Sequence, residues 1–486
     1  MASKRTSAKR NKATPKRRRA KAASAAAAQI LAWEDDPESG LAPIQRPAAN
    51  LSGAPFPTRI ENMAAPAPKI YKKGTAEFRY WNAADALRRG CDFWGAIIGV
   101  VPWQPGGVLP VDLDHGEDLN AFYDRVGLRF FHGAAGAQTV FSGESPDIVC
   151  HELGHALLDA IRPELWDAGS AEIAAFHESF GDMSAILSTL QIQSVRFAIL
   201  QETQSHLFRS SRLSRLAEQL GRAIRLIRAD LADPDCLRNA VNSFFYREPE
   251  SLPPNAPASQ LSSEPHSFSR VFTAGFFGTL SNMLALSGGQ PTEQQLQAVS
   301  VDAAKLLVAA ILAAPVVPNY YSQVAAHMLE ADQLTFGGKY RESITAGFTH
   351  CGILSLQSLR AVAKARPVGA AARRPMVQAS SLPHLGLVGD DFGITGEKIL
   401  VRVASDGPRL PALSAAMTGN SLPAADAERA ARCFLEDLLQ RGHVSVASKA
   451  SYAMRENPRS RKSHELVRTQ AGLALTRCLF DCGWPP

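Results

Sequence analysis

Apolar residues recur with helical spacing along much of this chain from about residue 146 onward. In 146–161 the residues Ile148, His151, His155 and Leu158 fall on adjoining faces of one helix, and Ser145 followed by proline is typical of a helix start. A second helical pattern covers 170–190. Further helices are predicted at about 206–232, 267–286, 294–314, 319–332, 338–351, 424–441 and 463–480.

Short β-like runs punctuated by glycine occupy residues 76–145, and two more, KILVRVA and HVSVAS, lie at 398–404 and 443–448. These patterns predict an α+β fold. The predicted parts are a basic disordered tail with a Pro/Ala-rich linker (1–75), a mixed N-terminal lobe that carries the metal-binding helices (76–190) and a helical C-terminal lobe (191–365). A second linker (366–385) and a small α/β extension of unknown role (386–486) follow.

The positive charge of the chain is concentrated at one end. Net charge is +6, but residues 1–22 hold ten Lys or Arg and no acid, so the rest of the chain carries −4. This segment is predicted to be disordered and is either a solvated arm or a weak contact for nucleic acid or an anionic surface. It has no interleaved aromatic residues, so base stacking is not indicated.

Targeting signals are weak in this sequence. AAAAQILAW is a poor secretory core, and the longest apolar stretch, at 303–317, is too short and alanine-rich for a membrane span. The seven cysteines are scattered, odd in number and form no CxxC pair, which predicts neither a disulfide framework nor a cysteine zinc site. A cytoplasmic location is expected, with non-classical export as the alternative.

The stretch CHELGH at 150–155 carries the chemistry that stands out most. Positions i and i+4 share a helix face, so His151 and His155 can offer two imidazoles to one ion, with Glu152 beside it as a base for a metal-bound water. The same letters also occur by chance in helices, and the alternative interpretation is a buried histidine pair with a structural role.

The next predicted helix offers the acidic partners that such a site needs. Glu178 lies one helical hairpin after His155 and is the candidate third ligand. Asp182 is one turn further and can accept the free ring N–H of a ligand histidine, which would orient the ring. For the neighbouring His177, a helix-surface or packing role is the preferred interpretation.

HELGH followed by ESFGD resembles the two metal helices of thermolysin-like zinc metallopeptidases, a branch of the gluzincins, for which His₂Glu is the known ligand set. Four further stretches resemble the same family in the same order, namely NAFYDRVGLRFFHG, DCLRNA, EPHSFSRVFTAGFFG and the helical segment 301–354. The resemblance implies a thermolysin-like fold, one Zn²⁺ on His151, His155 and Glu178, and Glu152 as the base of a peptide-bond hydrolase.

The resemblance also implies roles outside the metal helices. Arg238 and His266 would stabilise the oxyanion, and an extended peptide or protein substrate would pair with the strand that contains Asn120 and Ala121.

Two departures from the family pattern limit what is carried over. RPELWDAGSAE holds no tyrosine at the usual oxyanion position, where Trp166 cannot replace a phenol. Asp147 matches a family calcium ligand, but Thr189 stands where its partner carboxylate is expected, so calcium binding is unlikely. The expected function is therefore a zinc endopeptidase, and the alternative is a catalytically weak or inactive scaffold that binds peptides or proteins.

Overall fold

A computed structural model describes residues 28–358, 382–403, 410, 427–446 and 462–483. The basic segment 1–22, with its predicted contacts, and most of the linker predicted at 366–385 lie outside the described residues. The chain forms a mixture of helices and strands, consistent with the predicted α+β class.

The helices of the described residues match most of the predicted ranges. They are α1 Ala76–Ile98, α2 Pro146–Ile161, α3 Ala171–Thr189, α4 Gln193–Glu202, α5 Glu218–Ile227, α6 Pro265–Ala285, α7 Glu293–Ala313, α8 Tyr320–Phe336, α9 Arg341–His350 and α10 Ala427–Gln440. The helix predicted at 206–232 is replaced by the shorter α5. Helix α1, which the sequence analysis did not distinguish from the β-like runs, starts where the Thr75 hydroxyl accepts a hydrogen bond from the Phe78 N–H.

The strands of the described residues are short. They are β1 Gln29–Ala32, β2 Ile44–Pro47, β3 Thr58–Ile60, β4 Leu109–Asp112, β5 Ala121–Tyr123, β6 Leu128–Phe130, β7 His132–Ala135, β8 Gln138–Phe141, β9 Arg215–Leu216, β10 Arg238–Asn239, β11 His384–Val388, β12 Lys398–Arg402, β13 Val444–Val446, β14 His464–Thr469, β15 Gly472–Arg477 and β16 Phe480–Asp481.

One mixed five-stranded sheet supports the helices that carry the candidate site. Its order is β16-β5-β6-β4-β3, with β3, β4 and β6 parallel and with β5 antiparallel to both of its neighbours. Helices α2 and α3 lie in the main core with this sheet, and every residue of α3 is buried. The edge strand predicted around residue 120 is therefore present as β5, but β16 covers it.

The structure changes two predictions near the ends of the chain. Residues 28–75, predicted as linker, form three strands, and Ile30, Trp33 and Phe56 are buried. The prediction of a helix at 463–480 is wrong, because this segment forms β14 and β15 and reaches the start of β16. The alternation of buried and less buried residues in GLALTR has the two-residue period of a strand.

The extension predicted at 386–486 forms its own sheet but does not stand apart. Its order is β11-β12-β15-β14-β13, and α10 packs on it through residues such as Phe434. The same apolar cluster includes Ala171 and Ala174 of α3. The extension is thus packed against a helix that carries the candidate site.

Helix α7 has the length and apolar composition of a membrane span. However, 56% of its most apolar window is buried inside the protein, as expected of a core helix. Among the described residues, this helix therefore gives little indication of membrane insertion.

Three buried aspartates lie near the start of α2. Asp36 accepts hydrogen bonds from Ser145 and Gln219, and Asp147 accepts one from the backbone of Ala217. Asp35 accepts one from the backbone of Asp36 through Oδ1, whereas its Oδ2 has no partner among the described residues. Burial raises the pKa of Asp35 to about 7 and also raises the pKa values of Asp36 and Asp147. Ionising these groups therefore costs folding free energy.

Replacing Asp35 by asparagine is expected to stabilise the protein at pH 8 by about 2–4 kcal/mol. The carboxyl has a higher pKa folded than unfolded, so wild-type stability falls as pH rises from about 4 towards 7. Asparagine does not ionise and so lacks this loss of stability with pH. The difference in unfolding free energy between the variant and the wild type should therefore vanish near pH 4. Urea unfolding at both pH values measures the effect. The exposed Glu342→Gln is the control, expected to change stability by less than about 0.5 kcal/mol.

Candidate metal centre

Two packed helices bring the three predicted metal ligands together. Helix α2 presents His151 and His155 one turn apart, and α3 presents Glu178 opposite them. His151 Nε2 lies 3.2 Å and His155 Nε2 lies 3.7 Å from the same oxygen, Glu178 Oε2. The i, i+4 spacing on α2 and the packing of α3 against it thus converge on one point.

A cysteine completes this cluster. Cys482 Sγ lies 3.4 Å from both His151 Nε2 and His155 Nε2, and 3.7 Å from Glu178 Oε2. The ligand atoms of these four buried residues all lie within 4.8 Å of one another. The structure thus corrects the prediction that no cysteine belongs to a metal site. A lone cysteine more than 300 residues from the motif gives no spacing signal that could have revealed it.

The distances fit a tetrahedral ion. Bonds of about 2.0–2.3 Å to nitrogen, oxygen and sulfur place the ligands of a tetrahedral ion about 3.3–3.8 Å apart. The five distances given above run from 3.2 to 3.7 Å. The four residues His151, His155, Glu178 and Cys482 can therefore hold one metal ion, and every ligand atom belongs to a side-chain type that binds transition metals.

Asp182 orients one of the imidazoles. Its Oδ1 lies 3.0 Å from His151 Nδ1, which leaves Nε2 to face the cluster. Arg238 donates to both Asp182 oxygens, at 2.8 and 3.3 Å, and strongly lowers the pKa of that carboxyl against the opposing effect of burial, to about 2. The chain Arg238–Asp182–His151 thus fixes one ligand from behind.

The close approach of α2 and α3 depends on glycines in both motifs. A Cβ on Gly181 would lie 2.6–2.8 Å from three atoms of the His151 ring. A Cβ on Gly154 would lie 2.9 Å from the Gly181 Cα and the Ser184 Cβ. The glycines of HELGH and ESFGD therefore provide the space for the histidine ring between the helices.

Electrostatic interactions within the cluster differ from one residue to the next. Burial lowers the pKa of His155 to about 3, whereas for His151 the hydrogen bonds to Asp182 and Glu178 outweigh burial and raise the pKa to about 9. Burial opposes ionisation of Glu178, but His266 and His155 lower its pKa well below the usual range. Glu178 is thus an anion and His155 is neutral, as metal ligands require, whereas His151 would release a proton when a metal binds.

Glu152 lies beside the cluster without joining it. It is fully buried, and the polar neighbour of its carboxylate is the Cys482 thiol. Burial raises its pKa to about 7, although the neighbouring His151 opposes this. The group is therefore poised to exchange a proton near neutral pH.

The two predicted oxyanion donors lie at the cluster but contact its carboxylates. His266 Nε2 is 3.1 Å from Glu178 Oε2, and its Nδ1 is 2.7 Å from Glu264, a partner that the sequence analysis did not identify. Burial disfavours the charged ring, but these two carboxylates raise the pKa of His266 well above its usual value. His266 and Arg238 therefore place two positive charges next to the cluster.

The remaining predicted residues, Asn120 and Ala121, lie at the start of β5, which β16 covers. Asn120 is buried and donates to Asp481, and the Ala121 carbonyl accepts a hydrogen bond from the Cys482 N–H. His177 is fully buried next to His155 and stacks on Phe480, consistent with a packing role. The structure thus places every predicted site residue in one region.

Comparison with known proteins does not identify a family. No protein-family model and no curated protein matches this chain, so the resemblance to thermolysin-like metallopeptidases rests on the motifs themselves.

Proposed function

We propose that this protein is a zinc-dependent hydrolase of peptide bonds, with Glu152 as its general base. The observation that carries the proposal is the position of Glu152, a fully buried carboxylate beside His151, His155 and Glu178 that is not itself one of the ligands. A purely structural metal site has no need of such a group. Two imidazoles and a carboxylate, with sulfur nearby, favour zinc over harder ions.

Zinc, when bound, would polarise a substrate carbonyl and lower the pKa of a coordinated water. Glu152 accepts a proton from a water in this site and returns it to the leaving amine, a role that its pKa of about 7 permits. His151 keeps its orientation throughout, because Asp182 holds its Nδ1.

His266 and Arg238 supply positive charge where the carbonyl oxygen of a substrate becomes negative. Preorganised donors of this kind each contribute roughly 2.7–4 kcal/mol to transition-state stabilisation. Both side chains are already oriented by carboxylates, His266 by Glu264 and Arg238 by Asp182. Their charge offsets the missing tyrosine in part.

A peptide is the substrate that this surface suits. The edge of β5 beside the cluster accepts an extended strand through its backbone, as its pairing with β16 illustrates, and this backbone is what every peptide shares. A pocket that reaches His151 and Glu152 has charged residues and Cys482 on one part of its lining and an apolar part formed by Ile148, Ala185, Leu216, Leu220 and Leu237. An apolar side chain next to the cleaved bond would fit there.

Replacing Glu152 by glutamine tests this proposal. Glutamine keeps the size of the side chain but cannot take the proton, so peptide cleavage should fall by about 10²–10⁴-fold while zinc content is unchanged. Cleavage of a broad peptide library and metal analysis of the same samples measure the two quantities. Glu342→Gln should leave both as in the wild type. A Glu152→Gln substitution that leaves a measurable cleavage rate unchanged, whether in the wild type or in Cys482→Ser, would contradict the proposal.

The alternative is a metal-bound scaffold that captures peptides or proteins without cleaving them. It is favoured by Cys482, because four protein ligands are typical of structural zinc sites, and by the absent tyrosine. A zinc-loaded protein that cleaves no peptide in the library, both as the wild type and after removal of the Cys482 side chain, would support it.

A further inference from the structure

The segment that follows β15 lies where a peptide substrate is expected. Strand β16 pairs antiparallel with β5, with Phe480 opposite Tyr123 and Asp481 opposite Phe122. The next residue continues this pairing, since the Cys482 N–H donates to the Ala121 carbonyl at 3.0 Å. The backbone groups that a bound peptide would use are thus already engaged within the chain.

Side chains hold this segment in place on both sides of the cysteine. The Phe480 ring stacks on His177 and His155, with centroids 4.1 and 4.9 Å apart. Asp481 Oδ1 accepts a hydrogen bond from Asn120 Nδ2 at 2.7 Å. A Cβ on Gly483 would lie 2.2–2.4 Å from the Asn120 side chain, so this position accommodates only glycine without a shift.

The extension provides the anchor from which the segment enters. The Trp166 indole donates to the Arg477 carbonyl, and the Arg477 Nε donates to the Trp166 carbonyl. Arg477 ends β15, only three residues before Phe480. The docking of the extension near α3 thus determines where residues 480–483 enter the site.

Cys482 takes the one position that a catalytic metal site leaves to water. His151, His155 and Glu178 form three corners of a tetrahedron, and Cys482 Sγ forms the fourth. The same sulfur lies beside Glu152, the group that would otherwise face a water there. Cys482 therefore occupies the position where a water would bind the metal, and it also separates Glu152 from that position.

We propose that residues 480–483 are a built-in occupant of the peptide groove, with Cys482 Sγ as the fourth metal ligand, and that they hold the site closed. This inference rests on the proposed function for the identity of the groove as a peptide site. The occupant is this chain's own segment, as its backbone pairing and three side-chain contacts indicate. Opening would require Cys482 Sγ to move away from His151, His155 and Glu178, which would leave room for a water beside these three residues.

Cobalt substitution tests the metal ligand without reference to activity. The Co²⁺ protein should show a near-ultraviolet thiolate-to-cobalt absorption that is lost in Cys482→Ser and retained in Cys478→Ser. Cys478 is the matched control, since it precedes the same strand but lies outside the cluster. A wild-type cobalt protein without this absorption would overturn the proposal.

A fluorescent peptide hydroxamate, which binds zinc in an open groove, tests the occupancy. It should bind Cys482→Ser at least tenfold more tightly than the wild type or Cys478→Ser. Gly483→Ala should also bind the hydroxamate more tightly, because its Cβ would displace residues 480–483 from Asn120. This variant opens the groove without removing the Cys482 side chain. This second variant serves if Cys482→Ser fails to fold. Equal hydroxamate affinity in the wild type and both folded variants would overturn the proposal.

Peptide cleavage separates this inference from the proposed function. Cys482→Ser should cleave a quenched peptide at least tenfold faster than the wild type, and the added Glu152→Gln should remove that gain. If the cobalt and hydroxamate results hold but no variant cleaves peptide, the closed groove is supported and the hydrolase proposal fails.

Discussion

Replacing His155 by alanine is expected to abolish stoichiometric metal binding. His155 is fully buried, and its Nε2 faces both Glu178 and Cys482, so the substitution removes one of four convergent ligand atoms. The loss of affinity should exceed the 10–100-fold typical of removing a hydrogen-bond partner of a ligand. Metal analysis after dialysis against a weak chelator, combined with titration of Zn²⁺, measures the change.

Asp182→Asn is expected to weaken metal binding less than His155→Ala does. It keeps the shape of the side chain but weakens the contact to His151 Nδ1, so a 10–100-fold loss of affinity is expected. A chelator should lower the melting temperature of the wild type but leave that of His155→Ala unchanged, since bound metal stabilises only a protein that binds it. A His155→Ala protein that retains one tightly bound ion would show that the cluster is not the metal site.

Replacing Gly181 by alanine is expected to impair both stability and metal binding. The added Cβ would lie 2.6 Å from the His151 ring, closer than carbon atoms approach, so either the ring or helix α3 must move. Overpacking of this kind costs about 1–3 kcal/mol. Because the ring that must move carries a ligand nitrogen, metal affinity should fall together with the free energy of unfolding.

Gly278→Ala in α6 is the matched control for that substitution. A Cβ there would meet only the Gly347 Cα, at an ordinary contact distance of 3.5 Å. Alanine is preferred over glycine within a helix by about 0.5–1 kcal/mol, so this variant should be slightly more stable and bind metal as the wild type does. If Gly181→Ala has the same unfolding free energy and metal affinity as Gly278→Ala, helices α2 and α3 do not pack closely around His151 as described.

Gly181→Ala and Gly483→Ala both add a methyl group near the metal cluster, but they are expected to have different effects on it. Gly181→Ala displaces a ligand from within the core, whereas Gly483→Ala displaces only the segment that covers the groove. The first should therefore reduce metal content, and the second should leave it unchanged while exposing the groove to peptides. Comparison of the two separates damage to the metal site from release of its cover.

Much of the metal site could be predicted because its chemistry is local. The four-residue spacing of His151 and His155 places both rings on one face of any helix. Glu178 and Asp182 follow one hairpin later with the same helical period, so their approach to α2 required only that adjacent helices pack together. The chain did not need to be folded in full for these four residues to be recognised.

Other features lay beyond local patterns. The segment 463–480 was predicted as a helix, although β14 and β15 form a hairpin, and β15 and β16 also pair with β12 and β5, which lie far away in the chain. Likewise, Arg238 was predicted as an oxyanion donor, and only the structure shows its two hydrogen bonds to Asp182. Which distant strand or side chain a residue contacts depends on the edges and surfaces that the rest of the fold leaves open. The periodicity of apolar residues within one segment carries no information about those partners.

The sequence by itself determined the helical face with two histidines, the glutamate next to them and an acidic partner on the following helix, because backbone geometry over a few turns imposes that arrangement. Only the tertiary structure decided what faces those residues. The approach of Cys482 follows from the addition of β16 to the open edge of β5 and from the anchoring of Arg477 on Trp166. Contacts between residues more than 300 positions apart arise from packing and edge pairing of the whole fold, which no short stretch of the chain specifies.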